Sequence, residues 1–329
     1  MTRRPDGPLR RGWTTGACAT AATRAAYTAL LTGRFPDPVS ISLPKGQTPS
    51  FPLAQARLDG PVAEAGVVKD AGDDPDVTHG ALILARLRRA APGGGIVFKA
   101  GEGVGTVTRP GLALAVGDAA INPVPRRLMT ETVRELAEAH DDAGDVEIEI
   151  AIPGGAEMAR HTMNARLGIL GGLSVLGTTG IVIPYSCASW IHSIHRGIDV
   201  VRAAGVGHAA AVTGSVSEAA VRALYDFPDL ALIDMGDFAG GMLKYLRDHP
   251  IPRITIAGGF AKLAKLGQGH SDLHSGRSRL DLDRLAALAE TIGAGADLTS
   301  SIAAAGNGGR ALELATAAGL PLALSLIHI

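Results

Sequence analysis

With 329 residues, the chain is long enough for one large domain or two of ordinary size, and two is the better expectation. Apolar residues make up 46% of the sequence and charged residues 19%, which is typical of a well-buried core and excludes an intrinsically disordered protein. The formal net charge is -1, so the basic excess typical of nucleic-acid-binding proteins is missing and a nucleic-acid partner is not expected.

The cysteine content and the absence of a predicted membrane span favour a cytoplasmic protein. Cys18 and Cys187 lie far apart among small or apolar neighbours, which indicates thiols in a reducing compartment rather than a disulfide. No cysteine or histidine cluster has the spacing of zinc ligands, so no metal site is predicted. The apolar stretch 167–184 contains five glycines and ends in proline, which favours a strand with glycine-rich loops over a membrane-spanning helix.

The first half of the chain predicts an α+β domain. Thr14 and Thr15 are candidate N-caps of a small-residue helix that ends at Gly33, and a second helix with prolines near its start covers residues 123–140. The stretch 81–87 is ambiguous between helix and strand. Other strand-like runs are residues 39–44, 51–58, 64–70, 96–101 and 146–153.

The second half predicts parallel β-α units. Strand-like runs at 181–186, 208–215, 230–237 and 253–260 each lead through small residues into a helical pattern. In such folds, ligands bind at the carboxyl ends of the strands. The predicted class is therefore α/β, with an α+β part over residues 1–153 and a Rossmann-like parallel α/β part, preceded by a linker, over residues 154–323.

The last six residues, LSLIHI at 324–329, are expected to be non-native. They match the translation of a common transposase-adapter end used in sequencing libraries. A native buried strand is the alternative interpretation.

Two segments near the N-terminus carry candidate ligand-binding groups. In RRGWTTGACATAA, the Thr14-Thr15-Gly16 turn opens a helix whose positive dipole end suits a carboxylate or phosphate, although a capped and tightly packed helix explains the pattern equally well. The segment VVKDAGDDPDVTHG holds four aspartates, Lys69 and His79, which could bind a cation, supply a general base or hydrogen-bond a polar ligand. A solvated acidic turn is the competing interpretation.

Two further segments place arginine near glycine or a helix start. KAGEGVGTVTRPGL lacks the full spacing of a dinucleotide-binding motif, and a glycine hairpin that lets Glu102 and Arg109 face a ligand is more plausible. In INPVPRR, Asn122 precedes a proline-initiated helix and Arg126 lies in its first turn, where a guanidinium suits an acidic ligand. A surface arginine pair is the alternative.

The fifth segment, residues 152–186, surrounds polar residues with glycines. Gly154-Gly155 predicts a short helix that carries His161, Thr162, Asn164 and Arg166, and Thr178-Thr179-Gly180 interrupts the apolar run that follows. Buried polar groups need partners, and a ligand is one source of them.

Together these segments resemble the cobalt-precorrin-5B (C1)-methyltransferase family (CbiD) of anaerobic cobalamin biosynthesis. The resemblance covers nearly the whole chain in order, through GWTTGACATAA, VVKDAGDDPDVTHG, GEGVGTVTRPGL, AINPVPR, TMNARLGILGGLSVLGTTGIVIPYS, GDFAGGMLKYL and ITIAGGFAKLAKLGQG. The family usually continues past Gly319-Leu320-Pro321, so a C-terminal segment is expected to be missing here.

The resemblance implies transfer of a methyl group from S-adenosylmethionine to C-1 of cobalt-precorrin-5B, giving cobalt-precorrin-6A. Cobalt would arrive only as part of this small-molecule corrinoid substrate, with no nucleic acid or membrane as partner; whether the chain forms a homo-oligomer stays open. A nucleotide-dependent oxidoreductase and a non-catalytic corrinoid carrier are the competing functions.

No catalytic residue is carried over from the family, so the site residues are predicted from physical arguments. The proton acceptors, needed if the ring tautomerises, are predicted to be Asp70, Asp73 or His79. Substrate-binding groups suited to acidic or polar ring substituents are Thr14, Thr15, Gly16, Lys69, Glu102, Arg109, Asn122, Arg126, Asn164, Arg166, Thr178 and Thr179. Cofactor-binding groups at the predicted strand ends are Thr213, Gly214, Ser215, Asp234, Gly236, Gly258 and Gly259.

Overall fold

The computed structural model describes residues 7–325 and divides into two units, Met1–Cys187 and Ala188–Ile329. The predicted division after residue 153 lies inside the first unit, because short strands at 169–170 and 181–182 pair with strands from its N-terminal part. Of the suspected tail 324–329, residues 326–329 lie outside the described part of the chain.

Over residues 7–187, the first unit has eleven strands and three helices. The strands are β1 (Gly12–Trp13), β2 (Val39–Ser40), β3 (Ser50–Phe51), β4 (Gln55–Asp59), β5 (Val62–Val68), β6 (Leu82–Arg89), β7 (Ile96–Ala100), β8 (Thr106–Val107), β9 (Val146–Ala151), β10 (Ile169–Leu170) and β11 (Ile181–Val182). The helices are α1 (Thr15–Thr32), α2 (Pro123–Ala139) and α3 (Gly155–Ala159).

Helix α1 forms the centre of the first unit. Thr14 caps its start by accepting a hydrogen bond from the Ala17 N–H, and Gly33 ends it at φ 76°, as predicted. The helix packs against β5, β6 and α2, and its alanines are buried on all sides. Small side chains let the backbones of sheet and helix approach closely, which explains the alanine-rich sequence.

The main sheet of this unit has the strand order β4-β5-β6-β9-β7. Its pairs are antiparallel except for β7, which runs parallel to β9. The ambiguous stretch 81–87 is a strand, since β6 covers Leu82–Arg89 and has buried residues on the face toward α1. The inward-facing side chains Ile83, Leu87, Ile148 and Ile150 join the core of α1.

Three local predictions for the first unit were wrong. The run 51–58 is divided into β3 and β4 around Pro52, which cannot donate to a strand ladder. The glycine segment 99–112 is not a hairpin, because β8 pairs with the distant β10. Helix α3 ends at Ala159, so all four residues predicted to lie on it, His161, Thr162, Asn164 and Arg166, are in the turns and bends that follow it.

Glycines join three segments of the first unit at one point, which we call the glycine junction: Gly103, Gly155 and Gly172. A β carbon on Gly103 would lie 2.0 Å from the Ile152 carbonyl oxygen, and one on Gly172 would lie 2.2 Å from the Gly103 oxygen. Gly155 likewise approaches the Gly103 oxygen. Only glycine permits this contact, which explains why the segment carries glycines without a dinucleotide-binding pattern.

We expect Gly103→Ala to lower the free energy of unfolding by at least about 2 kcal/mol, because it adds both overlap and left-handed strain. Gly93 is the matched control, since its φ of 75° resembles the 71° of Gly103 but a β carbon there meets nothing within 4 Å. Gly93→Ala should cost only the backbone term, about 1–2 kcal/mol. Urea unfolding of both variants measures the difference between their free energies of unfolding. An equal loss of stability in the two variants would contradict the close contact at Gly103.

The second unit contains strands β12 (His208–Val212), β13 (Leu232–Asp234) and β14 (Arg253–Ala257). Its helices are α4 (Cys187–Ala203), α5 (Ser215–Leu224), α6 (Ala239–Asp248), α7 (Phe260–Gly267), α8 (Leu282–Thr291), α9 (Ala296–Ala303), α10 (Gly308–Ala317) and α11 (Leu322–Ser325), with a 3-10 turn at Asp229–Ala231.

The three strands of the second unit form a parallel sheet in the order β13-β12-β14. This confirms the predicted parallel β-α pattern and the α/β class, because each strand is followed by a helix. The run 181–186 does not belong to this sheet: β11 pairs antiparallel with β1 in the first unit. Helices α8 to α11 pack around a separate apolar cluster that includes Leu285, Ile302 and Leu322.

Candidate functional site

The acidic loop of residues 69–80 is fastened to the segment that precedes α1. The Trp13 N–H donates to the Asp70 carbonyl oxygen at 2.7 Å. The Arg10 N–H donates to Asp73 Oδ2 at 2.6 Å, and the Asp73 N–H returns a bond to the Arg10 oxygen. The loop is therefore an ordered part of the first unit rather than an unsupported acidic turn.

Asp70 is held in its ionised form by Arg10. The guanidinium donates two hydrogen bonds to the two carboxylate oxygens, and the Gly72 N–H adds a third at 2.9 Å. These bonds, the Arg10 side chain first, lower the pKa of Asp70 from 3.8 to about 2. A carboxylate with such a low pKa accepts a proton poorly near neutral pH.

His79 lies beside Asp70, with 3.9 Å between Nδ1 and Asp70 Oδ1. Nδ1 accepts a hydrogen bond from the Ala71 N–H at 3.1 Å, so the neutral ring carries its proton on Nε2. In this tautomer Nε2 is the hydrogen-bond donor of the ring. The structure thus brings Asp70, Asp73 and His79 together, while their catalytic role stays a prediction.

Lys69 and the start of α1 already have protein partners. The Lys69 side chain is 3% exposed and donates to Asp76 and Thr78. At the helix start, the Thr14 N–H donates to the Gly180 oxygen at 2.9 Å and the Gly16 N–H to the Leu176 oxygen at 3.0 Å. These contacts join the acidic loop, α1 and the segment 176–180 into one structure.

The loop also holds Tyr185 in an uncommon conformation that sequence reasoning missed. Tyr185 has φ 56°, although it is not glycine. Its N–H donates to Asp74 Oδ1 at 2.8 Å. No sequence pattern signals a left-handed tyrosine; the preceding proline is the only hint of an irregular turn.

The two predicted arginines of the first unit have different surroundings. Arg126 donates from Nε to the Ile121 oxygen at 2.8 Å and from Nη2 to the Ala119 oxygen at 2.9 Å. It therefore supports the chain before α2. In contrast, Nη1 of Arg109 is buried and has no hydrogen-bond partner in the described part of the chain. A buried, unpartnered guanidinium N–H is costly and indicates a missing acceptor.

The other predicted substrate-binding residues are distributed over the same unit. Asn122 is the N-cap of α2 but makes no side-chain cap bond, and Asn164 is buried and donates to the Gly172 oxygen at 3.1 Å. Thr15 is buried in the first turn of α1. Glu102 and Thr178 are exposed, whereas Arg166 and Thr179 are half-buried.

The link between Arg10 and Asp70 gives a prediction about pH. Because the folded pKa is depressed, the pair stabilises the first unit above the ordinary pKa of 3.8, and this contribution is lost as the pH falls toward about 2. Arg10→Gln should return the pKa of Asp70 toward 3.8, as measured by carboxyl-carbon NMR titration. Arg57→Gln, which breaks the exposed pair of Arg57 with Asp59, should leave Asp70 unchanged.

In the second unit, the predicted cofactor residues meet at the carboxyl ends of the parallel strands. Thr213 and Gly214 connect β12 to α5, which begins at Ser215. Asp234 ends β13, and Gly258-Gly259 connects β14 to α7. The Thr213 N–H donates to the Ala257 oxygen, and the Met235 N–H to the Val212 oxygen, both at 3.0 Å. The three turns are thus tied together, as the strand-end argument predicts.

Two of these turns leave space for a ligand. A β carbon on Gly214 or Gly259 would meet nothing within 4 Å. Helices α5 and α7 both begin at these glycines without a side-chain cap. Backbone N–H groups at such helix starts suit a carboxylate or the oxygens of a nucleoside.

Sequence reasoning missed an ion pair at the same edge. Lys262 Nζ lies 2.9 Å from Asp237 Oδ1 and 3.5 Å from the Thr213 oxygen. Lys262 is in the first turn of α7, so it connects the turns after β12, β13 and β14. The sequence signal for this pair is an acidic residue shortly after β13, Asp237, and a basic residue shortly after the glycine turn that follows β14, Lys262.

Further chemical features of the described residues are limited. Within residues 7–325, no group of three or more His, Cys, Asp or Glu side chains is arranged to hold a metal ion. In the same range, no helix combines the length and apolarity needed to cross a membrane. Cys18 and Cys187 are both thiols rather than halves of a disulfide, and burial raises the pKa of Cys18 to about 12.

Comparison with known proteins gives consistent similarities. The model of the CbiD family matches residues 2–184, which is nearly the whole first unit. The chain is 61% identical over 315 residues to a cobalt-precorrin-5B C(1)-methyltransferase from Brucella anthropi, covering 96% of this chain and 86% of that protein. A protein of the same name from Paramagnetospirillum magneticum is 62% identical over 314 residues, covering 95% and 87%.

A solved structure is also similar to this chain. The crystal structure of a cobalamin biosynthesis protein (cbiD) from Archaeoglobus fulgidus is 28% identical, covers 83% of this chain and 84% of its own, and has a TM-score of 0.45.

Proposed function

Because this chain belongs to the CbiD family, we propose that it is a cobalt-precorrin-5B C(1)-methyltransferase. It transfers a methyl group from S-adenosylmethionine to C-1 of the corrinoid, giving cobalt-precorrin-6A and S-adenosylhomocysteine. The observation that carries this proposal is identity above 60% over nearly the full chain with proteins of that name. The protein acts in the cytoplasm on a small-molecule substrate.

The donor is assigned to the strand ends of the second unit. The open glycine turns at Gly214 and Gly259 and the uncapped helix starts support this assignment. Asp234, at the end of β13, is suited to hydrogen-bond the two ribose hydroxyls, as acidic residues at strand ends do in other α/β folds. Thr213, Ser215, Gly236 and Gly258 complete the cofactor-binding set.

The corrinoid is assigned to the first unit. Its acetate and propionate groups are negative, so they need cationic or N–H donors. Arg109 is the strongest anchor, because its buried Nη1 has no acceptor in the described part of the chain. Lys69 and Arg126 are weaker candidates, since their nitrogens already bond to protein oxygens.

Catalysis rests mainly on positioning. When bound, S-adenosylmethionine supplies a methyl group on a positively charged sulfur, which is already activated for transfer. Asp234 is proposed to orient the ribose, and Arg109 is proposed to orient the ring. Little acid-base chemistry is needed at the step itself.

If the ring tautomerises after methylation, one proton must be accepted. Asp70 is a poor acceptor, because Arg10 lowers its pKa to about 2. His79 accepts a proton only after its Nδ1 releases the Ala71 N–H or its tautomer changes. Asp73 Oδ2 accepts the Arg10 N–H and retains a second oxygen, so Asp73 is the acceptor that we favour.

Anaerobic incubation with cobalt-precorrin-5B and donor labelled in its methyl group tests the function. We expect the corrinoid to gain one labelled methyl group, detected by mass spectrometry, and one equivalent of S-adenosylhomocysteine to form. Corrinoid binding without label transfer would favour a carrier protein instead. Consumption of NADPH without label transfer would favour an oxidoreductase.

A further inference from the structure

The exposed tryptophan of the second unit lies at the same edge as the predicted donor residues. The chain has two tryptophans; Trp13 contacts Phe51 in the first unit, whereas Trp190 is in the first turn of α4. Trp190 is 42% exposed. Large aromatic side chains are usually buried, so a half-exposed indole beside a candidate site points to a ligand that covers it.

Contacts with Gly236 fix the position of this indole. A β carbon on Gly236 would lie 3.3 Å from Trp190 Nε1 and 3.6 Å from its Cε2. Gly236 has φ 53° and its N–H donates to the Val212 oxygen, the last residue of β12. The indole therefore lies over the turn that follows β13, two residues beyond Asp234.

We propose that the Trp190 indole is the platform on which the adenine of the methyl donor stacks. This inference rests on the proposed function, since it assumes that Asp234 holds the ribose. In an adenosyl compound the base is bonded directly to the ribose, so the adenine must lie within one ring length of that sugar. Trp190 is an exposed aromatic surface beside that turn, and a purine on an indole face gains stacking energy.

A corrinoid-stacking role and a purely structural role for Trp190 are both less favoured. The conjugated corrinoid could also stack on an indole, but the adenine is bonded directly to the ribose that Asp234 is proposed to hold, and Asp234 is two residues from the Gly236 turn beside the indole. A purely structural role accounts for the contact of Trp190 with Gly236 but not for the exposed part of the ring. Ligand binding to variants of Trp190 separates these roles.

Calorimetric titration of the full chain with S-adenosylhomocysteine gives the first test. We expect Trp190→Ala to raise the Kd about 5- to 30-fold and Trp190→Phe, which keeps a ring, to raise it much less. S-ribosylhomocysteine lacks the adenine, so its Kd should be the same in wild type and Trp190→Ala. Circular dichroism verifies that both variants are folded.

Fluorescence gives the second test. S-adenosylhomocysteine should change the tryptophan emission of the wild type, and this change should vanish in Trp190→Phe, which retains only Trp13. The stacking role would be overturned, and the proposed function left intact, if wild type and Trp190→Ala had equal Kd values for S-adenosylhomocysteine. The same conclusion would follow if Trp190→Ala lost affinity equally for S-adenosylhomocysteine and S-ribosylhomocysteine. A wild type that binds no S-adenosylhomocysteine would overturn both. A Trp190→Ala variant with a raised Kd for the cobalt corrinoid and an unchanged Kd for S-adenosylhomocysteine would assign the indole to the substrate and refute the inference.

Discussion

Replacing Arg109 by methionine is expected to raise the KM for the cobalt corrinoid about 10- to 150-fold, with a smaller change in kcat. Methionine retains the aliphatic part of the side chain, which packs on Gly168, but removes the guanidinium whose Nη1 is unpartnered in the described part of the chain. A hydrogen bond to a charged group contributes about 1.5–3 kcal/mol, which corresponds to that range. Initial rates measured anaerobically over a range of corrinoid concentrations give the KM.

Arg127 provides the matched control for Arg109. Its side chain is 57% exposed and lies 3.6 Å from Glu131 on the surface of α2. Arg127→Met removes the same charge and should leave the KM near the wild-type value, since exposed pairs contribute little. Neither variant should change the Kd for S-adenosylhomocysteine. Equal effects of the two substitutions would show that Arg109 acts only through the general charge of the first unit.

Asp234→Asn is expected to raise the Kd for S-adenosylhomocysteine about 10- to 100-fold. The substitution preserves the shape of the side chain but removes the negative charge that strengthens its bonds to ribose hydroxyls. Isothermal titration calorimetry measures this change directly. The affinity for the corrinoid should stay at the wild-type value, which separates a loss of donor binding from general damage.

Asp229 is the control at the opposite end of the same strand. It lies in the 3-10 turn that immediately precedes β13 and pairs with Arg222. Asp229→Asn should therefore leave donor binding unchanged, because donor binding is proposed for the carboxyl ends of the strands. If both aspartate variants bind S-adenosylhomocysteine like the wild type, the donor does not contact the end of β13.

The elements that local chemistry determines could be predicted from sequence. Thr14 and Gly33 delimit α1 because a threonine cap and a left-handed glycine stabilise helix ends. The strand-turn-helix rhythm likewise predicts the parallel sheet and the shared edge of Gly214, Asp234 and Gly258. These signals act over short stretches of chain.

What could not be predicted depends on contacts between distant residues. The run 181–186 has the composition of a buried parallel strand, yet β11 pairs with residues 12–13, about as far away as the first unit allows. Arg109 and Arg126 look equivalent in sequence, and only the fold shows that Arg126 bonds to carbonyl oxygens while Nη1 of Arg109 has no such partner among the described residues. Trp190 carries no sequence signal of its own, because its exposure depends on the turn at Gly236.

The glycine junction has a consequence for exchange between homologous genes. Gly103 and Gly155 lie on opposite sides of residue 153, and Gly172 lies further on, yet the three backbones touch. A recombination event at residue 153 would combine Gly103 from one homologue with Gly155 and Gly172 from another. The two parts would have diverged separately, so their backbones would no longer be matched to each other at this contact. Crossovers near 187, where the first unit ends, would instead inherit this contact whole.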